Sequence, residues 1–548
     1  MPDSADIIFT GGSLFSGGWQ SSRRAAVALR NGSIHAIGSD DEIRALAGPQ
    51  TDVVDLAGGL LAPGFQDAHV HPVVGGLEML ACNLVGAISV ADCLLRVEAY
   101  AEQHRDDPWV IGGGWSMEFF PGGLPTRELL DAVVSDRPVA LTNRDHHGSW
   151  VNSRALELAG IDATTPDPPD GRIERDVHGV PTGVLQEGAA FLLEPFMPVP
   201  TPSEQHRALM TAQSHLLSLG ITAWQDAAVG NVFGQRDVWE VYRGAAQSGD
   251  LVARVIAALW WERDRGPEQI AELIERRTLA SAARFRATSV KIMQDGVPEY
   301  LSAAMIEPYL DSCRCPTDHS GSSFVDANAL KEYVTALDSL DFQVHFHAIG
   351  DRAVRECLDA LEAARGANGP RENRHHLAHL QVVTETDVPR FAALDATATI
   401  QPFWAAHGVQ MDELTMPLLG VDRSARQYVF AELVRAGISM AGGSDWPVST
   451  ANPLDGMQVA VTRREPGDTG PAFYPDNAIT LAQMFSAYTA GSARVNRLDH
   501  ETGSLTEGLR ADLVVLDRDP FAGPAEEIAS ARVRRTYIDG ACVYSADG

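Results

Sequence analysis

Two histidines separated by a single residue close the run Gly64-Phe65-Gln66-Asp67-Ala68-His69-Val70-His71-Pro72. On extended backbone, alternate side chains share a face, so both imidazoles can reach one ion at about 2.0–2.1 Å. The pair follows the apolar approach Leu60 to Phe65 and is stopped by Pro72, as a buried strand ending in a loop would be. Ionisable groups recur at the ends of other apolar runs. These are Lys291 in Val290-Lys291-Ile292-Met293, His345 and His347 before Ala348-Ile349-Gly350-Asp351, His379 before Leu380, and Asp445 in Gly443-Ser444-Asp445-Trp446-Pro447. Burying such groups without partners is costly, and together they read as an inventory of metal ligands. His347 lies nearer its strand end and is the ligand of its pair. His345 is left as a hydrogen-bonded histidine lower down or a group facing substrate.

Lys291 stands out by composition. The 43 basic residues include only two lysines, Lys291 and Lys331. Where positive charge alone suffices this chain carries arginine, so a lysine among apolar neighbours is expected for its amine. Burial disfavours the ammonium, and the neutral amine can add carbon dioxide to give a carbamate able to bridge two metals. A salt bridge to a buried aspartate is the alternative.

The elements that must position these groups alternate between β-type runs and helical stretches, the pattern of a parallel α/β fold. Candidate strands are Gly64 to His71, Ile221 to Asp226, Val252 to Leu259, Ser289 to Met293, Phe342 to His347, His376 to Leu380, Thr397 to Gln401 and Ile438 to Ser444. Eight of them make a (β/α)8 TIM-like barrel over residues 64–494, whose C-terminal strand ends would carry the chemistry. The first gap exceeds what one connection needs, so residues 75–205 read as an insertion after the first barrel strand. Within it, Gly112 to Trp115, Asp145 to His147 and Thr165 to Pro169 read as loops. The strand-rich ends, 1–63 and 495–548, read as one small β-sandwich domain built from both termini.

A formal charge of −30 opposes nucleic acid and anionic membrane surfaces as partners and favours a small-molecule substrate. No run approaches the roughly 18 apolar residues of a membrane span, and the acidic start Met1 to Asp6 lacks the basic region of a secretory signal. A cytoplasmic location is expected. The six cysteines suit neither a disulfide framework nor a four-cysteine zinc site.

Nearly the whole chain resembles the amidohydrolase superfamily, in its YtcJ-like branch, which includes N-substituted formamide deformylases. The resemblance lies in Pro63 to His71, Pro138 to Leu141, His147, Trp150 to Leu156, Thr182 to Glu187, Lys291 with Asp295-Gly296, His347 to Asp351, and Gly443 to Asp445. One departure is Ala378-His379-Leu380-Gln381, where many branch members read Glu-His-Ala-Gln. The resemblance implies that His69, His71 and Asp445 hold one divalent metal and His347 and His379 a second, with carbamylated Lys291 and a hydroxide between them. Zinc is expected, with manganese, iron or nickel also suited to such ligands. It further implies hydrolysis of a C–N amide bond, possible in an N-substituted formamide or N-acyl compound, with Asp445 as proton shuttle. An ester, carbamate or cyclic amide would suit the same site. A mononuclear deaminase does not need the lysine, and a non-catalytic metal-stabilised binding protein would close its site with protein ligands. His147 is expected to line the pocket, Trp115 and Trp150 to line it or to pack within the insertion, Asn152 to cap a helix or join them, and the chain to form a homodimer.

Overall fold

The structure, a computed structural model, describes residues 4–232, 236–280 and 284–546. Runs rich in buried Val, Ile, Ala and Phe form eight barrel strands. They are β1 (Phe65–Val70), β2 (Ile221–Val229), β3 (Arg254–Trp260), β4 (Phe285–Met293), β5 (Gln343–Ala348), β6 (His376–His379), β7 (Thr397–Ile400) and β8 (Met440–Gly442). All neighbours pair parallel and in chain order. Just past β8 the chain returns to β1, where Asp445 N–H donates to the His69 carbonyl at 2.8 Å and His71 N–H to that of Trp446 at 2.9 Å. Strands covered on both faces read as near-continuous apolar runs, which is why they were visible in sequence.

Register sets the site. Lys291 lies opposite His345, Met293 opposite His347, and Ala348 opposite His379. The helix after β5, Asp351–Asn368, buries Val354, Cys357, Leu358 and Leu361 on one stripe and ends before Gly369.

Both termini build the small β domain. Leu60–Pro63 pairs antiparallel with Leu513–Leu516 in a six-stranded sheet that also holds Val533–Ile538 and Ala541–Ser545. A four-stranded sheet of Ala5–Thr10, Ala26–Arg30, Ser33–Gly38 and Ala47–Asp55 stands beside it. Phe9, Leu14, Val27, Leu61, Leu513 and Tyr537 fill the space they enclose. Arg254 of β3 ties this domain to the barrel through Asp512 at 2.8 Å and Asp539 at 2.6 Å.

The insertion carries a six-stranded sheet of its own, running from Cys82–Asn83 to Pro181–Glu187. Here the expectation for Gly112 to Trp115 is corrected, because this run lies within the strand Val110–Trp115 rather than in a loop. A Cβ on Gly112 would stand 2.0 Å from the Cys82 carbonyl oxygen, and one on Gly113 2.9 Å from that of Thr142. The glycines mark close strand approach. Trp115 and Trp150 are also corrected. Both are fully buried in the insertion core around Phe120, their indole N–H groups donating to the carbonyls of Leu141 and Thr126. Asn152 is a helix cap, its side-chain oxygen accepting from Ala155 N–H. Among the described residues no helix is long and apolar enough to cross a membrane.

Candidate metal centre

At the C-terminal mouth of the barrel, β1, β4, β5, β6 and the turn after β8 turn His69, His71, Lys291, His347, His379 and Asp445 into one cavity of about 1250 Å³. Asp445 Oδ1 lies 3.0 Å from His69 Nε2 and 3.2 Å from His71 Nε2. Asp445 Oδ2 lies 3.7 Å from His379 Nδ1. The ligand atoms of His69, His379 and Asp445 all fall within 4.8 Å of one another.

The backbone here is held in costly conformations. His379 (φ 76°) and Asp445 (φ 59°) are left-handed without being glycine. Surrounding hydrogen bonds hold them there. Gln401 Oε1 accepts from His379 N–H at 2.8 Å, and the buried Asp67 carboxylate accepts from His69 N–H at 3.0 Å and Ser444 N–H at 3.1 Å.

Electrostatics sorts the groups. Burial drives His69 down to about 3 and holds His347 and His379 well below the ordinary histidine range, so all three are neutral donors of lone pairs. Burial pushes against the Asp445 carboxylate, but His69, His71 and His379 outweigh it and keep Asp445 ionised. Burial lowers Lys291 to about 7, and among the described residues it forms no ion pair with a carboxylate. Its amine is therefore substantially neutral near neutral pH, the condition carbamate formation needs.

Whether a metal suits this set can be judged from atoms left without partners. The buried His379 Nε2 and His347 Nδ1 have no hydrogen-bond partner, although Asp295 Oδ1 lies 3.3 Å from the latter. Buried imidazole nitrogens without partners are expensive. Neutral imidazoles, an ionised carboxylate and a neutral amine in one pocket are donors a divalent cation satisfies.

A profile described as the Amidohydrolase family matches residues 52–544. The chain belongs to the amidohydrolase family. It is 31% identical over 549 residues to YtcJ of Bacillus subtilis, covering 98% of this chain and 99% of the relative. It is 28% identical over 533 residues to the N-substituted formamide deformylase of Arthrobacter pascens, covering 95% of each. Among solved structures, an uncharacterized metal-dependent hydrolase from Pyrococcus furiosus superimposes with a TM-score of 0.70 at 25% identity, over 94% of this chain and 99% of that one. The protein is thus a hydrolase of the metal-dependent amidohydrolase superfamily.

The amidohydrolase cavity also receives His147 from the insertion. Its Nδ1 lies 3.0 Å from Glu187 Oε1, which also accepts the Ser302 hydroxyl at 2.5 Å. Burial disfavours the His147 imidazolium, but Glu187 prevails and raises it to about 9. A cationic donor therefore stands with its ring centre 5.9 Å from that of His347. His345 does not face substrate. It is fully buried one level down, its Nε2 2.8 Å from His69 Nδ1.

Sequence reasoning passed over Glu187, Glu78 and His146. His146 Nε2 lies 3.1 Å from Glu78 Oε1 on the cavity wall, where burial pushes Glu78 up to about 8. Glu187 ended a quoted motif without a role. For Glu78, on the helix Pro72–Leu80, the only signal was an acid among apolar neighbours.

Proposed function

We propose that this amidohydrolase cleaves the C–N bond of a small-molecule amide, an N-substituted formamide or related N-acyl compound. The observation that carries this reading is the convergence of His69, His71, Lys291, His347, His379 and Asp445 on one cavity. His69, His71 and Asp445 would hold one divalent ion, zinc for preference, and His347 and His379 a second, with Lys291 as its carbamate between them. Two such ions, when bound, supply Lewis-acid polarisation of a carbonyl and lower the pKa of water.

The chain's own residues supply the rest. Ionised Asp445 accepts the proton of the attacking water at its carboxylate and returns it to the leaving nitrogen. His147, kept cationic by Glu187, donates a hydrogen bond to the carbonyl oxygen, where negative charge develops. The cavity exceeds the usual range of roughly 300–1,000 Å³ for ligand pockets, leaving room for an N-substituent well beyond a formyl group. Phe191, Phe403 and Trp404 line it and favour an apolar or aromatic substituent.

The test is a panel of N-substituted formamides, longer N-acyl amines and matched esters offered to the zinc-loaded chain. Release of amine that vanishes in Asp445→Asn supports the reading. Turnover confined to the esters would contradict it.

A further inference from the structure

Beneath the metal centre the barrel interior is polar, where branched apolar side chains usually fill it. Gln225 of β2, Gln343 and His345 of β5, His376 of β6 and Thr399 of β7 are all fully buried. Hydrogen bonds join them into a chain that ends on His69.

The chain begins at the barrel floor. Gln343 Nε2 donates to two backbone carbonyls, of Arg374 at 2.7 Å and Val495 at 2.9 Å. An amide oxygen in that position would face two acceptors, so the Gln343 amide has one orientation, with Oε1 turned toward Gln225. Gln225 Nε2 donates to that oxygen at 3.0 Å. Gln225 Oε1 is then an acceptor shared by His345 Nδ1 at 2.7 Å and His376 Nε2 at 3.0 Å. Each imidazole must carry its proton on the nitrogen facing Gln225. The other nitrogen of a neutral ring is a lone pair. His376 Nδ1 accepts the Thr399 hydroxyl at 2.8 Å, and His345 Nε2 accepts His69 Nδ1–H at 2.8 Å. With Nδ1–H committed to His345, Nε2, 3.0 Å from Asp445 Oδ1, is the nitrogen that His69 turns to the metal centre.

The geometry points to Gln343, Gln225 and His345 as positioning residues that fix His69 in the tautomer a metal ligand requires. A ligating histidine usually donates its second N–H to a carboxylate or a carbonyl, which can only accept. His69 donates instead to another imidazole, which could equally donate back. The arrangement holds only if the proton of His345 is itself directed, and the two glutamines direct it. The purpose of the relay rests on the metal-centre reading, whereas its hydrogen-bond order can be measured without metal or substrate.

The test uses the full-length chain stripped of metal by a chelator and labelled with ¹⁵N-histidine. Long-range ¹H–¹⁵N spectra report which ring nitrogen carries the proton. His69 is expected to carry a proton on Nδ1, the nitrogen facing His345. In Gln225→Leu that fixed proton on Nδ1 is lost, and titration with zinc alone shows binding weakened about 10–100-fold. Thr399→Val, on the side branch at the same depth, leaves both readouts unchanged. A wild-type His69 with no proton on Nδ1 overturns the relay, whatever any variant does. So would a folded Gln225→Leu with tautomer and zinc affinity intact, or a Thr399→Val as damaging as Gln225→Leu, which would reduce the network to packing. If the chain hydrolyses no amide while His69 is Nδ1–H, the proposed function fails and the relay stands.

Discussion

Asp445 and His147 are two buried ionisable groups held in their charged forms by single neighbourhoods, and each neighbourhood makes a prediction. Asp445 stays ionised because three histidines face it. Asp445→Asn keeps an oxygen in place but removes the proton acceptor. Metal content by elemental analysis should be retained, while kcat falls by about 10²–10⁴, the usual worth of a general base. His147 is raised to about 9 by Glu187, so their pairing contributes fully below the ordinary histidine range and is lost as pH rises through about 9. Activity should decline over that upper window. In Glu187→Gln the alkaline limb of the kcat/KM profile should move down toward about 6.5, the unperturbed histidine value. An unmoved limb would remove His147 from the reaction.

At the scale of elements, the glycine run Gly112 to Gly114 shows what a strand needs when its neighbours crowd it. Gly112→Val would drive a branched side chain against the Cys82 carbonyl. Overpacking of this kind costs about 1–3 kcal/mol. Urea denaturation should show that loss, and KM should rise with metal content unchanged, because the insertion walls the cavity without holding the ligands. The same run marks where sequence stopped being legible. The barrel strands could be read because burial on both faces makes them continuous apolar runs, and the metal-site candidates because each interrupts such a run near its end. Trp115 and Trp150 misled because a large aromatic beside a motif reads alike whether it packs in a core or faces a ligand. Burial around Phe120, with both indole N–H groups donating to backbone carbonyls, decides for the core. Gln343, His345 and His347 recur at alternate positions of one strand, so the relay left a period-2 trace. A histidine's partner lies on another strand, however, and sequence does not order strands around a barrel floor.

At the scale of the whole molecule, the barrel is clamped to the small β domain by charge. Arg254, with 5% of its side chain exposed, bridges the fully buried Asp512 and the partly exposed Asp539. Removing one partner of a buried ion pair leaves the other uncompensated, at a cost of about 3–5 kcal/mol. Arg254→Met should lower the unfolding free energy by that order in urea titrations near neutral pH. The Asp539 carboxyl is held below its ordinary range, with Arg254 and Arg284 outweighing burial, so its contribution should fade as pH falls through the acid carboxylate range. The central claim, proposed for the opposite end of the barrel, is that six groups from five strand ends form one centre for two ions. Elemental analysis of the full-length chain, purified with zinc and bicarbonate, tests it most directly. Two metal ions per chain are predicted, falling to one or fewer in Lys291→Ala; a wild-type chain that binds one ion or none, or a Lys291→Ala chain that still holds two, would contradict it.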